Sequence, residues 1–207
     1  MKIVKPKMSK CIEKIKLDKT LVIEDLVDIE STYQDIDFKI ENIEINGCKF
    51  VNIDFSMYPL KNVDLIDCIF ERCNLSGSNC SNKTIHRVIF NKCNMVGVDF
   101  ISCSLIDISI LESKCNYINF SDSKLKHLEI ISSIIKEGRF VSSDFLDINF
   151  KDNDFEGFEF LNTKLKDIDF SSCNISNIGV SAYDIKGVIV NAEQASRLIS
   201  LFGIIVK

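Results

Sequence analysis

From Ile45 to Val190 every fifth residue of this chain is apolar, with no insertion or deletion. The series opens Ile45, Phe50, Phe55, Leu60, Leu65, Phe70 and closes Phe170, Ile175, Val180, Ile185, Val190, and all 30 steps hit. Because 46% of the residues are hydrophobic, chance gives such a run on the order of once in 10^10 trials, so the period is structural. Neither regular element repeats at five, since a helix repeats at about 3.6 and a strand at 2. A fixed apolar period over so long a stretch is the mark of a solenoid, in which one short unit stacks on the next. Of the 15 phenylalanines, 12 sit on this one register.

Two residues before most of these centres stands a small or β-branched residue: Cys48, Ile53, Val63, Cys68, Cys73, Val88, Cys93 and Cys103 among others. Strand alternation requires this if both positions point inward. The position between them is often Asp or Asn, as at Asp54, Asp64, Asn74, Asn94, Asp99, Asn119, Asp144, Asp154, Asp169 and Asn174. The other two positions are largely polar and supply a turn.

Units such as Cys73-Asn74-Leu75-Ser76-Gly77, Val98-Asp99-Phe100-Ile101-Ser102 and Ile168-Asp169-Phe170-Ser171-Ser172 resemble the A(D/N)LXX units of pentapeptide repeat proteins. The resemblance covers roughly residues 33 to 190. It implies an all-β fold, a right-handed quadrilateral parallel β-helix with four units to a coil, followed by a short C-terminal α-helix. From Ile45 to Val190 that makes about seven coils and, at ~4.8 Å between neighbouring strands, a rod roughly 35 Å long.

Charge divides the chain. Residues 1–20 hold seven lysines against Glu13 and Asp18 and read as a solvated N-terminal arm. Residues 21–44 carry a net −7, and the acids Glu24, Asp25, Asp28, Glu30, Asp35 and Asp37 are dense enough to engage a basic partner surface. The repeat domain spans 21–190 and is regular from 45. Ile36-Asp37-Phe38 looks like one unit, but Phe38 to Ile45 is seven residues, which places two extra residues near Lys39 to Asn42. Inside the rod the weak stretch is Asn79 to Arg87, where Lys83 occupies an inward position. Asn153, Phe158 and Gly138 are milder departures.

Residues 191–207 read as a helix and an apolar tail. Asn191 is an N-cap with Gln194 three residues on, and Gly203 stands where a C-cap glycine belongs. Leu198, Ile199, Leu201, Phe202, Ile204 and Ile205 are the expected homodimer interface.

Nothing in the chain reads as a catalytic constellation. His86 and His127 fall at outward turn positions 41 residues apart and read as surface residues. Eight glycines form neither a phosphate loop nor a dinucleotide fingerprint, and no Cys/His spacing suits zinc. The cysteines fall on inward positions except Cys11, which fits small buried hydrophobes in a reducing compartment. No metal, cofactor or enzymatic activity is expected. Lysines interrupt residues 1–20 and no run of 18 apolar residues occurs, so a cytoplasmic protein without a membrane segment is expected.

The unit pattern and the ending Gly187-Val188-Ile189-Val190…Gln194-Ala195…Leu201-Phe202-Gly203-Ile204 resemble the Qnr-type quinolone-resistance pentapeptide repeat proteins. That resemblance implies binding to DNA gyrase or topoisomerase IV as a DNA-shaped mimic, protection from quinolones, and no direct nucleic-acid binding. Charge alone does not support mimicry of the whole rod. A duplex of 35 Å carries about 20 negative charges, whereas the body from 45 to 190 has 19 acids and 15 bases. The alternatives are an interaction scaffold for another partner and an immunity protein against a gyrase-directed toxin. For the scaffold, Ile101, Ile106, Leu111, Ile131, Val141 and Leu161 are the candidate apolar patch.

Overall fold

With two side chains of every five turned inward, the chain must round a corner after each unit. The residue two places past the centre rounds it in the left-handed region, as at Asn52 (φ 56°), Asp67 (φ 52°), Tyr117 (φ 61°) and Asn177 (φ 57°), and at Gly77 and Gly97. Gly, Asn and Asp enter that region most cheaply, which explains the polar turn positions. Arg72, Lys92 and Tyr117 enter it too, each at a cost of roughly 1–2 kcal/mol. The Asp or Asn just before a centre accepts the backbone N–H two residues on. Ser121 donates in this way to Asn119 at 3.0 Å and Ser171 to Asp169 at 2.8 Å. These Asx turns direct the chain into the corner.

The computed structural model describes residues 2–10, 12–17 and 26–205, apart from the side chain of Tyr33. Its strands are β1 (Glu13–Lys14), β2 (Leu26–Val27), β3 (Ile29–Asp35), β4 (Glu44–Asn46), β5 (Lys49–Asp54), β6 (Asp64–Glu71), β7 (Thr84–Asn91), β8 (Ser104–Leu111), β9 (Lys124–Ile131) and β10 (Asp144–Lys151), and one helix, α1 (Ala192–Leu201), follows. All pairs are parallel, and the sheet runs β1-β3-β5-β6-β7-β8-β9-β10, with β2–β4–β6 beside it. Phe70, Phe90, Ile110 and Ile130 stack residue over residue at the 20-residue coil spacing. The result is a β-solenoid of about six turns, against the seven expected. Isolated parallel bridges run beside the strands from Glu41↔Lys61 onward, and after β10 bridges such as Asp154↔Asn174 and Asp169↔Ile189 carry the repeat without forming strands.

The centres and inner positions form one continuous core. Phe100, Phe120, Phe140 and Phe160 stack as a ladder, with ring centroids 5.4, 4.7 and 5.9 Å apart. A second ladder runs Phe50–Phe70–Phe90 at 5.0 and 5.2 Å. Polar inner residues are satisfied across the coils. Ser123 Oγ donates to the Phe100 carbonyl at 2.7 Å and accepts the Cys103 N–H at 2.8 Å. Asn153 does the same with the Ile130 carbonyl and the Ser133 N–H. Lys83 is only half-buried, and its Nζ reaches Asp64 at 3.3 Å. Gly138 and Phe158 explain each other: a Cβ on Gly138 would stand 2.5 Å from Phe158 Cε2, so the missing side chain in one coil makes room for a ring in the next.

The expected bulge near Lys39 to Asn42 is not found. Ile40 is 1% exposed, five residues before Ile45, so the register starts at Ile40 while Phe38 is only partly buried. The change lies between Asp35 and Glu41. The pairs from Leu26↔Ile45 to Asp35↔Asp54 are 19 apart, whereas Glu41↔Lys61 is 20 apart.

The eight described cysteines are all free and buried; Cys11 lies outside the described residues. Burial pushes the Cys80 and Cys115 thiols up to about 12 and Cys48 and Cys103 to about 11. Burial shields all eight thiols from reagent, so they are expected to label with a maleimide only as fast as the chain unfolds. Mass spectrometry of native and denatured samples checks this, and rapid native labelling of several of them contradicts the inward placement.

Candidate interaction surfaces

A filled interior leaves the outer walls, corners and ends as the places where this chain can meet anything. Across the walls, charges pair from coil to coil instead of forming a stripe. Lys92 meets Glu112 at 3.4 Å, Lys136 meets Glu156 at 2.7 Å and Asp154 at 2.9 Å, and Arg139 meets Glu159 at 3.9 Å. A 20-residue spacing sets side chains over one another, so opposite charges there cancel locally.

One corner carries this alternation furthest: Asp67, Arg87, Asp107, His127 and Asp147 lie one above another. The Arg87 guanidinium grips Asp67 with both Nε and Nη2 at 2.5 Å. His127 Nδ1 lies 2.9 Å from Asp107, and its Nε2 lies 3.5 Å from Asp147. His86, on the adjacent position, comes within 3.8 Å of Asp107. Burial alone would raise the Asp67 carboxyl, but the Arg87 guanidinium and the Lys7 N–H override it and hold it below its ordinary value. Burial and the Arg87 charge keep the His86 imidazolium below its ordinary range. Both histidines were read as plain surface residues; they are half-buried members of this corner. The 20-residue spacing of Asp67, Arg87, Asp107 and His127 was the sequence signal for it.

The lysine-rich N terminus is not a frayed arm. The Val4 N–H donates to Asp107 at 3.1 Å and the Lys7 N–H to Asp67 at 2.7 Å. The segment then enters the rod base, where β1 pairs with β3 and Leu17 is 2% exposed. Extended backbone exposes N–H groups that the corner carboxylates accept, and this outweighs the mutual repulsion of the lysines.

Of the expected partner-binding acids, Glu24 and Asp25 lie outside the described residues. The others do not form one acidic surface. Glu30 pairs in register with Lys14 and sits 3.9 Å from Lys49. Asp28 is half-buried at a corner against Gly47, while Asp35 and Asp37 are exposed. The expected apolar patch also disperses. A step of five residues is a quarter turn, so Ile101, Ile106 and Leu111 face three directions. Leu111 does meet Ile131 in register, and Val141 and Leu161 lie one coil apart, yet only Leu161 among the six is exposed. Sequence reasoning passed over the better exposed Tyr117, Ile134 and Leu146.

At the far end α1 closes the rod. Asn191 caps it reciprocally with Gln194, as expected. Gln194 Nε2 also donates to the Phe170 and Cys173 carbonyls at 2.9 and 2.7 Å. Leu198, expected in a dimer interface, is 6% exposed and belongs to the core: the helix turns its Gln194–Leu198 side to the last coil. Ile199, Leu201, Phe202, Ile204 and Ile205 are exposed, with Ile205 at 84%. Beside them a cleft of about 390 Å³ opens between α1 and Ile175, Ser176 and Asn177. Among the described residues no helix is long and apolar enough to cross a membrane.

The family described as "Pentapeptide repeat region" matches residues 63–140, within the stretch of 20-residue coils. Residues 63–140 carry pentapeptide repeats. A trypsin-treated form of QnrB1, a plasmid-mediated fluoroquinolone resistance protein, is 22% identical, with 88% of this chain and 100% of that one covered and a TM-score of 0.38. The pentapeptide repeat protein Rfr23 of the cyanobacterium Cyanothece is 13% identical over 60% of this chain and 90% of its own, with a TM-score of 0.41. HetL of Nostoc sp., a pentapeptide repeat protein involved in heterocyst differentiation regulation, is 13% identical over 80% of this chain and 89% of its own, with a TM-score of 0.37. No curated protein matches this chain by sequence.

Proposed function

We propose that this solenoid is a non-enzymatic, cytoplasmic binding rod that engages DNA gyrase or topoisomerase IV by shape and protects it from quinolones. The observation that carries the reading is the end of the rod. From Ile40 on, a solenoid with no inserted loop terminates in a capped helix whose outer face and tail expose five apolar residues. Soluble monomers seldom leave such a surface open, and a two-fold pairing across it doubles the rod of about six turns to about 60 Å at ~4.8 Å per coil. The unit pattern and the residues from Gly187 to Ile204, which resemble Qnr-type proteins, support gyrase or topoisomerase IV as the partner. Because charges pair between coils, recognition rests on the rod's form and not on an acidic stripe.

The test is gyrase supercoiling with and without a quinolone, titrated with the wild type and with Phe202→Asp/Ile205→Asp, which spares the core residue Leu198. The expected result is a dimeric wild type that restores supercoiling under quinolone and a folded, monomeric variant at least tenfold less effective. Inhibition without rescue overturns protection. No effect on gyrase or topoisomerase IV leaves the scaffold reading, which the exposed Tyr117, Ile134 and Leu146 favour.

A further inference from the structure

The N-terminal strap is held in an unusual way. Two of its long-range anchors use backbone N–H groups, at Val4 and Lys7, so they depend on extended shape and not on side-chain identity. Their spacing fits the corner. Three extended residues reach about 10 Å, and Asp67 and Asp107 stand two coils apart, also about 10 Å at ~4.8 Å each. The two carboxylates are 7% and 6% exposed beneath the strap. Meanwhile Lys2, Lys5, Lys7 and Lys10 are exposed along it. The corner beneath alternates in sign but holds three carboxylates, Asp67, Asp107 and Asp147, against one guanidinium and the imidazoles of His86 and His127. It therefore offers acceptors and a favourable charge to any extended basic chain.

We propose that the corner from Asp67 to Asp147 is a docking groove for an extended, lysine-rich segment of a partner protein, and that residues 2–10 are its resident intramolecular occupant. The partner enters by displacing them. A tethered occupant competes at an effective concentration of roughly millimolar, so the groove stays closed to weak ligands. It opens to a segment presented by a bound partner.

Proline has no N–H, so Val4→Pro/Lys7→Pro in the full chain removes both of these anchors while leaving the corner intact. The probe is a fluorescent synthetic peptide of residues 2–10, read by anisotropy. Hydrogen exchange of β8 and β9 checks that every variant is folded. The expected result is binding to the Val4→Pro/Lys7→Pro chain at least tenfold tighter than to the wild type. Adding Asp67→Asn/Asp107→Asn should abolish it, and a peptide with its lysines replaced by glutamate should not bind. The proposal is overturned if the peptide does not bind the opened chain, if binding survives loss of both carboxylates, or if the glutamate peptide binds equally well. It is also overturned if residues 2–10 of the wild type exchange as slowly as β8, which would make the strap a fixed wall of the fold.

Discussion

Phe120→Ala is expected to lower the unfolding free energy by about 3–5 kcal/mol, while Lys126→Ala on an exposed wall shifts it by less than about 0.5 kcal/mol. Phe120 has no exposed surface and sits between Phe100 and Phe140 at 5.4 and 4.7 Å. Its removal opens a cavity that neighbouring coils cannot collapse into, because their backbones are hydrogen-bonded above and below. The Phe120 N–H, for example, donates to the Arg139 carbonyl at 2.9 Å. Urea denaturation followed by circular dichroism measures the difference. Equal shifts for the two variants contradict the inward register.

Gly138→Ala is the second large effect, and it works by overfilling. The new Cβ would meet Phe158 Cε2 at 2.5 Å and the Ile118 carbonyl oxygen at 2.7 Å. One of these neighbours is a packed ring and the other is backbone, so the strain cannot be shed by a flexible side chain. A loss of about 2–3 kcal/mol is expected, at the upper part of the overpacking range. Phe158→Leu should relieve part of it, so the double variant is expected to be more stable than the two separate losses predict, by about 1 kcal/mol. Strict additivity in that cycle means that the two positions do not face each other across the coils.

These two sites mark what the sequence made legible. A period of five identifies the inward positions because burial is a side-chain property, and it placed the Phe100–Phe160 ladder and the N-cap at Asn191 correctly. It could not place Leu198, because the rotation of a terminal helix about its axis depends on what the last coil offers: here, the Phe170 and Cys173 carbonyls that Gln194 satisfies. Ile40 was missed because Phe38, the larger residue, drew the register away from it. The strap was illegible for a deeper reason. The anchors at Val4 and Lys7 are main-chain N–H groups, which every residue except proline carries, and seven lysines with their hydration argue for solvent. The candidate apolar patch failed because adjacency along the chain is a quarter turn in space.

The strap also makes the rod measure itself. Two of its anchors reach Asp67 and Asp107, so the distance and the rotation between those coils must match a length of extended chain that does not change. Losing one whole coil between them would keep every wall aligned and yet bring the two carboxylates too close for Val4 and Lys7 to span. Losing a single five-residue unit would swing Asp107 to a different side of the square. The interior of a solenoid tolerates growth and shrinkage in whole coils, but a chain clasped along its own length has given up that freedom over the clasped part. A change in the number of coils between Asp67 and Asp107 is therefore expected to break one of the two N–H contacts.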